Sequence, residues 1–248
     1  MLINTIILLL QNMLPALVLG TLLLIIMIKE ISKQWLYLTL TIALLALIIL
    51  ISFSYNISEL FPLFDLDFIY VIGYLLIYLT LLLLVFSNPE QFLQQKLIAI
   101  ICFMLVFSLN NTNFSWYLFN YISQNNPVAP LLLGITLGAG IGFSVSILLY
   151  FFLTWAQEHL TRLVPRVFLL FFAVGQLAHG INLLVQIDIW PTTPVLLNAS
   201  TLFSSQSIFT QLLNVIFGFH TRVTQLTVIV YVIALVLPIT LLIKKGER

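Results

Sequence analysis

Three sets of side chains in this sequence could do chemistry: Gln11 and Asn12 in "LQNMLPA", the run "NNTNFS" with Asn111, Thr112, Asn113 and Ser115, and the pair His179 and Asn182. Each lies inside an apolar run, where a polar side chain costs free energy unless something answers it. Carboxamides and hydroxyls can hydrogen-bond a neighbouring helix or line a path for an ion or small polar solute, but they bring no charge. His179 is the one ionisable group deep in an apolar run. Gly175, His179, Asn182 and Gln186 follow an i, i+4, i+7, i+11 spacing and share one helical face, with Gln176 beside it. A lone membrane histidine serves either as an interhelical hydrogen-bond donor or as a ligand or proton carrier. His159 and His220 fall in polar breaks, so no second histidine joins it at metal-ligand spacing.

The elements that must position these groups follow from composition. The chain has 248 residues, is 62% hydrophobic and 7% charged, and contains several runs long enough to cross roughly 30 Å of hydrocarbon. This is the signature of an all-α, multi-pass membrane protein in contact with the lipid bilayer. Spans are expected at about 4–28, 35–53, 67–87, 97–122, 129–155, 167–187 and 224–243 in a single membrane domain covering 1–248. Helices one and four are expected to be interrupted, at Gln11–Pro15 and at Asn110–Ser115. Lys29, Lys33, Lys96, Arg162, Arg166, Lys244, Lys245 and Arg248 then fall on one side and only Arg222 on the other. That pattern predicts an external N-terminus and a cytoplasmic C-terminus. Two interrupted helices heading successive three-helix units suggest an inverted repeat of helices 1–3 and 4–6, with helix seven outside it.

Between about 188 and 223 lies a long external segment. Ile208, Phe209, Leu212, Leu213, Ile216 and Phe217 recur at helical spacing, so an amphipathic helix is expected at about 204–217, capped by Ser204 or Ser205 and ended by Gly218. It should lie at the membrane surface or pack over the bundle. Gly134, Gly138 and Gly142 form a small-xxx-small series suited to close helix packing. A net charge of +1 without a clustered basic face gives no footprint for nucleic acid. The single Cys102 allows no disulfide framework. No P-loop, dinucleotide turn or paired intramembrane carboxylates occur, so no enzyme activity and no cofactor are expected.

The C-terminal third resembles the oxidase-dependent iron permeases, seven-helix subunits that take ferric iron from a partner oxidase. In "LNASTLFSSQSIFTQLLNVIFGFHTRVTQLTVIVYV", Ser200, Ser204, Ser207, Phe209, Gly218 and Tyr231 match the family's spacing, and Phe219 replaces the tyrosine of its G-Y. Asn198 stands in place of an aspartate, and Val223-Thr224 in place of P-S. "AVGQLAHGINLLVQIDIWP" is similar to the family's sixth helix, with Asn182 and Leu183 where a polar pair is usual. "LFDLDF" is similar to its acidic entry to helix three, with Asp65 replacing a glutamate. The resemblance implies a place in the bacterial inner membrane and an iron-uptake or iron-handling role. It also implies an extracytoplasmic oxidase, another iron-handling protein or other membrane subunits as partners.

Family members carry R-E-G-L-E in helices one and four, whose glutamates are taken to pass the iron. Those motifs fall here on Gln11-Asn12-Met13-Leu14-Pro15 and Asn111-Thr112-Asn113-Phe114-Ser115, so only the hydrophobic fourth position is kept. A bare trivalent ion taken out of water without anionic oxygens carries a prohibitive desolvation cost. Iron as a substrate is therefore not supported by carboxylate ligands. The alternatives are a divergent transporter of another ion or small polar solute, with Gln11, Asn12, Asn111, Thr112, Asn113, Ser115, His179 and Asn182 along its path, and a transport-inactive pseudo-permease that anchors a larger assembly.

Overall fold

Long apolar runs in a chain with few charges can satisfy their backbone only within themselves, and helices are the result. The computed structural model describes residues 2–27, 32–60, 66–87, 92–124, 126–161, 163–191, 193–198, 208–218 and 222–246. Its helices are α1 (Leu2–Ile26), α2 (Lys33–Leu60), α3 (Leu66–Phe86), α4 (Phe92–Ser123), α5 (Val128–His159) and α6 (Val164–Gln186). Strand β1 (Val195–Asn198), helix α7 (Ile208–Phe217), strand β2 (Arg222–Thr224) and helix α8 (Gln225–Gly246) follow. Among the described residues seven helices, α1–α6 and α8, are long and apolar enough to cross a membrane. Rows of exposed Leu, Ile and Phe on α2 and α5 suit contact with lipid.

Contrary to the expected interruptions, α1 and α4 are continuous. Pro15 sits inside α1 without ending it. In α4 the polar run is helical throughout because its side chains turn back onto their own helix. Asn110 Nδ2 donates to the Val106 carbonyl (2.9 Å), Asn111 Nδ2 to Phe107 (2.8 Å), Thr112 Oγ1 to Ser108 (2.7 Å) and Ser115 Oγ to Asn111 (2.9 Å). Bonds of this i−4 kind satisfy a polar side chain without a second helix or water.

The chain divides into two compact units, Met1–Ile51 with Phe103–Pro165, and Ser52–Cys102 with Arg166–Arg248. In the first, α1 and α5 pack along the glycine series. A Cβ on Gly134 would lie 2.8 Å from Thr5 Cβ, one on Gly138 2.8 Å from Leu9 Cδ2, and one on Gly142 3.0 Å from Leu17 Cδ1. The paired residues ascend together, so the two helices run parallel. Thr5 Oγ1 also meets the Tyr117 hydroxyl at 2.8 Å, tying α1 to α4. Gly138→Leu is expected to cost about 1–3 kcal/mol by overpacking this contact. Gly140→Leu, whose Cβ would meet nothing within 4 Å, should leave the thermal midpoint in detergent unchanged.

In the second unit α6 carries the centre. Leu169, Leu170, Phe172, Ala173 and Val174 are fully buried. Strands β1 and β2 pair antiparallel, Val195 with Thr224 and Asn198 with Arg222, with an irregularity between Val195 and Leu197. This ribbon starts α8: Thr224 Oγ1 accepts from the Thr227 N–H, Pro194 O from the Gln225 N–H and Thr193 Oγ1 from the Leu226 N–H. The first donors of α8 are thereby satisfied, as a helix N-terminus requires.

Helix α7 ends at Gly218, whose φ of 65° is a left-handed conformation natural to glycine and whose N–H donates to Asn214 O at 2.7 Å. This end does not stand level with the end of α6 near Gln186. A Cβ on Gly218 would lie 2.5 Å from Gly175 Cα, so the two backbones touch at the middle of α6. The Phe217 ring packs on Phe171 (centroids 5.5 Å) and Phe168 (6.4 Å), nearer still to the α6 start. Ser200, Ser204, Ser205, Ser207 and Phe219, singled out in the sequence, lie outside the described residues.

Candidate functional site

The polar groups of α1 and α4 belong to the first unit and do not form a shared site among the described contacts. Asn12 is buried and its Nδ2 donates to Leu8 O of its own helix, while Gln11 one residue earlier is exposed. Asn111 and Thr112 are buried, Asn113 is exposed and Ser115 is half-buried. Consecutive residues turn by about 100° around a helix, so a contiguous run cannot present every member to one path. A cavity of about 600 Å³ in this unit is lined by none of them. Its walls include Met13, Leu17, Gly20, Leu40, Phe107 and Phe143, and its Thr21, Thr39 and Ser146 hydroxyls donate to their own helices.

His179 and Asn182 belong to the second unit, and there the structure does assemble polar groups from different elements. His179 is half-buried, its ring edge-on to Tyr74 of α3 (centroids 4.9 Å, interplanar angle 79°). Tyr74 is 4% exposed. Gly180 permits this approach, since a Cβ there would lie 3.0 Å from Tyr74 Cβ. One turn further, Asn182 Oδ1 accepts from Thr227 Oγ1 at 3.1 Å, and Thr227 in turn meets Thr224 Oγ1 at 2.9 Å. This chain of bonds joins α6 to the start of α8. Gln176 is 6% exposed and its Oε1 has no hydrogen-bond partner.

The α6 face is therefore divided by function within the fold. Gly175 meets α7, His179 and Gly180 meet Tyr74 of α3, and Asn182 fastens α8. Sequence spacing identified the polar side chains but missed Tyr74 and Thr227, which come from distant segments, and it missed Gly218 as a close-approach residue. Paired glycines, Gly175 and Gly218, were the available signal; read singly, each has a local explanation as a helix residue and a helix end.

Among the described residues no three His, Cys, Asp or Glu side chains lie together in a way that could hold a metal ion. The polar groups that α6 and its neighbours supply here are an imidazole, a phenol, carboxamides and threonine hydroxyls, none of which is a carboxylate. The sequence matches no protein-family model, and no similar curated protein or solved structure is found.

Proposed function

We propose that this chain is a polytopic membrane transport protein, a divergent relative of the oxidase-dependent iron permeases, whose solute site lies in the unit built from α3, α6, α7 and α8. The observation that carries this reading is the depth of α7. The segment leaves at the Gln186 end of α6 and returns there, where Thr227 bonds Asn182, yet its Gly218 touches Gly175, eleven residues back from Gln186, or roughly 16 Å at the helical rise. If α6 spans the bilayer, α7 re-enters it. Non-helical backbone at that depth is tolerated where protein buries it or where it lines a cavity, and broken elements of this kind commonly build transport sites. The proposed inverted repeat, the external N-terminus and a partner that delivers the solute belong to the same reading.

A second reading is a transport-inactive pseudo-permease that anchors other subunits, and the back-bonded amides and hydroxyls of α1 and α4 favour it. Thiol labelling separates the two. In a Cys102→Ala background, His179→Cys should react with a small hydrophilic thiol reagent much faster than Leu81→Cys, whose site is fully buried. Equal inertness at both positions would favour the anchor.

A further inference from the structure

Gln176 is the polar side chain of α6 that the packing leaves incomplete. It is buried near the middle of the helix, its Oε1 lacks a donor, and it sits at i−3 and i−4 from His179 and Gly180, the two residues that meet Tyr74. The three positions share one helical face. A buried acceptor without a donor carries its desolvation penalty uncompensated, so such a group in a native fold calls for a missing partner.

The geometry points to a ligand: we infer that Gln176 Oε1, on the α6 face that meets Tyr74, binds a small neutral solute carrying N–H or O–H donors. This rests on the transport reading above. The chemistry of the site selects the class. A purely apolar solute would leave Oε1 unmet. Among the described residues of these two helices, a charged solute would find its counter-charges only near the helix ends: Asp67 stands seven residues from Tyr74 at the start of α3, Asp188 twelve from Gln176 beyond the end of α6, and Arg166 ten from Gln176 at the start of α6. At about 1.5 Å per residue all three lie away from the middle of the span. A neutral donor satisfies the carboxamide oxygen and adds no Born cost.

The test uses the full chain in proteoliposomes, with urea and formamide as neutral probes, potassium and ammonium as charged ones, and osmotic water flow as a control. Urea and formamide permeability should exceed that of protein-free vesicles, and potassium permeability should not. Gln176→Met keeps length and loses the acceptor. It should lower urea permeability about tenfold, the scale set by one hydrogen bond. Its thermal midpoint should hold or rise, because an unmet polar atom has been removed. Gln176→Asn, which withdraws the acceptor by one methylene, should keep the fold and change the ratio of urea to formamide flux.

Potassium or ammonium flux without urea flux would overturn the solute class and leave the transport reading intact. Urea flux indifferent to both substitutions would overturn the assignment to Gln176. Flux of none of the four solutes would overturn the transport reading itself. Water flow alone, with a lowered midpoint in Gln176→Met, would make Gln176 a residue satisfied by structural water and overturn the proposal.

Discussion

Gly175→Leu is expected to dislodge α7 from α6 and to abolish any solute flux the protein supports. The Gly175 and Gly218 backbones touch, and even a single Cβ on Gly175 would come 2.8 Å from Gly218 N. Backbone cannot yield as a flexible side chain can, so a leucine must push the whole end of α7 outward and separate Phe217 from Phe168 and Phe171. Overpacking alone sets a cost near the top of the usual range, about 3 kcal/mol. Gly140→Leu, on an exposed face of α5, should change neither stability nor flux. Thermal unfolding in detergent and flux in vesicles check both variants. An unchanged midpoint in Gly175→Leu would mean that the α6–α7 contact contributes nothing to the fold.

The second large effect is expected at Thr112. The kinship to iron permeases proposed above would align a metal-passing glutamate with this position, and Thr112→Glu tests whether a carboxylate there opens an ion path. Thr112 is 0% exposed and its hydroxyl is committed to the Ser108 carbonyl. A carboxylate at that position is a buried, unpaired charge, costing roughly 3–5 kcal/mol. The deficit falls on the ionised form, so Thr112→Glu should be least stable where the carboxyl is charged. Thr112→Val, which loses only a back-bond, should cost less than about 1.5 kcal/mol at any pH. Unfolding midpoints across pH 4–8 would check both, and iron uptake by a stable Thr112→Glu protein at neutral pH would contradict this account of α4.

Much of the architecture was legible because hydropathy and helical length are local properties. The seven apolar helices and the close-packing use of Gly134, Gly138 and Gly142 follow from runs and spacings that a single segment displays. The continuity of α1 and α4 was not legible. Amides and hydroxyls read as breaks in an apolar pattern, yet Asn12, Asn111 and Thr112 each find an acceptor one turn back in their own helix. The same short-range bonding satisfies their donors within the helix. The site around α6 was half legible: His179 and Asn182 announced themselves by polarity, but Tyr74 and Thr227 are supplied by segments that sequence spacing cannot bring together. The depth of α7 was the least legible feature, because its amphipathic pattern suits a helix on a membrane surface equally well. Only the absence of side chains at both Gly175 and Gly218 admits the deeper position.

Cross-linking of α7 to α6 tests the central claim most directly. In a Cys102→Ala background, Phe171→Cys with Phe217→Cys places two thiols where rings 5.5 Å apart now pack. The account predicts that this pair cross-links readily in native membranes and that Gln186→Cys with Phe217→Cys does not. Cross-linking of Phe217→Cys to Gln186→Cys instead, with none to Phe171→Cys, would put α7 level with the end of α6 and contradict a re-entrant site.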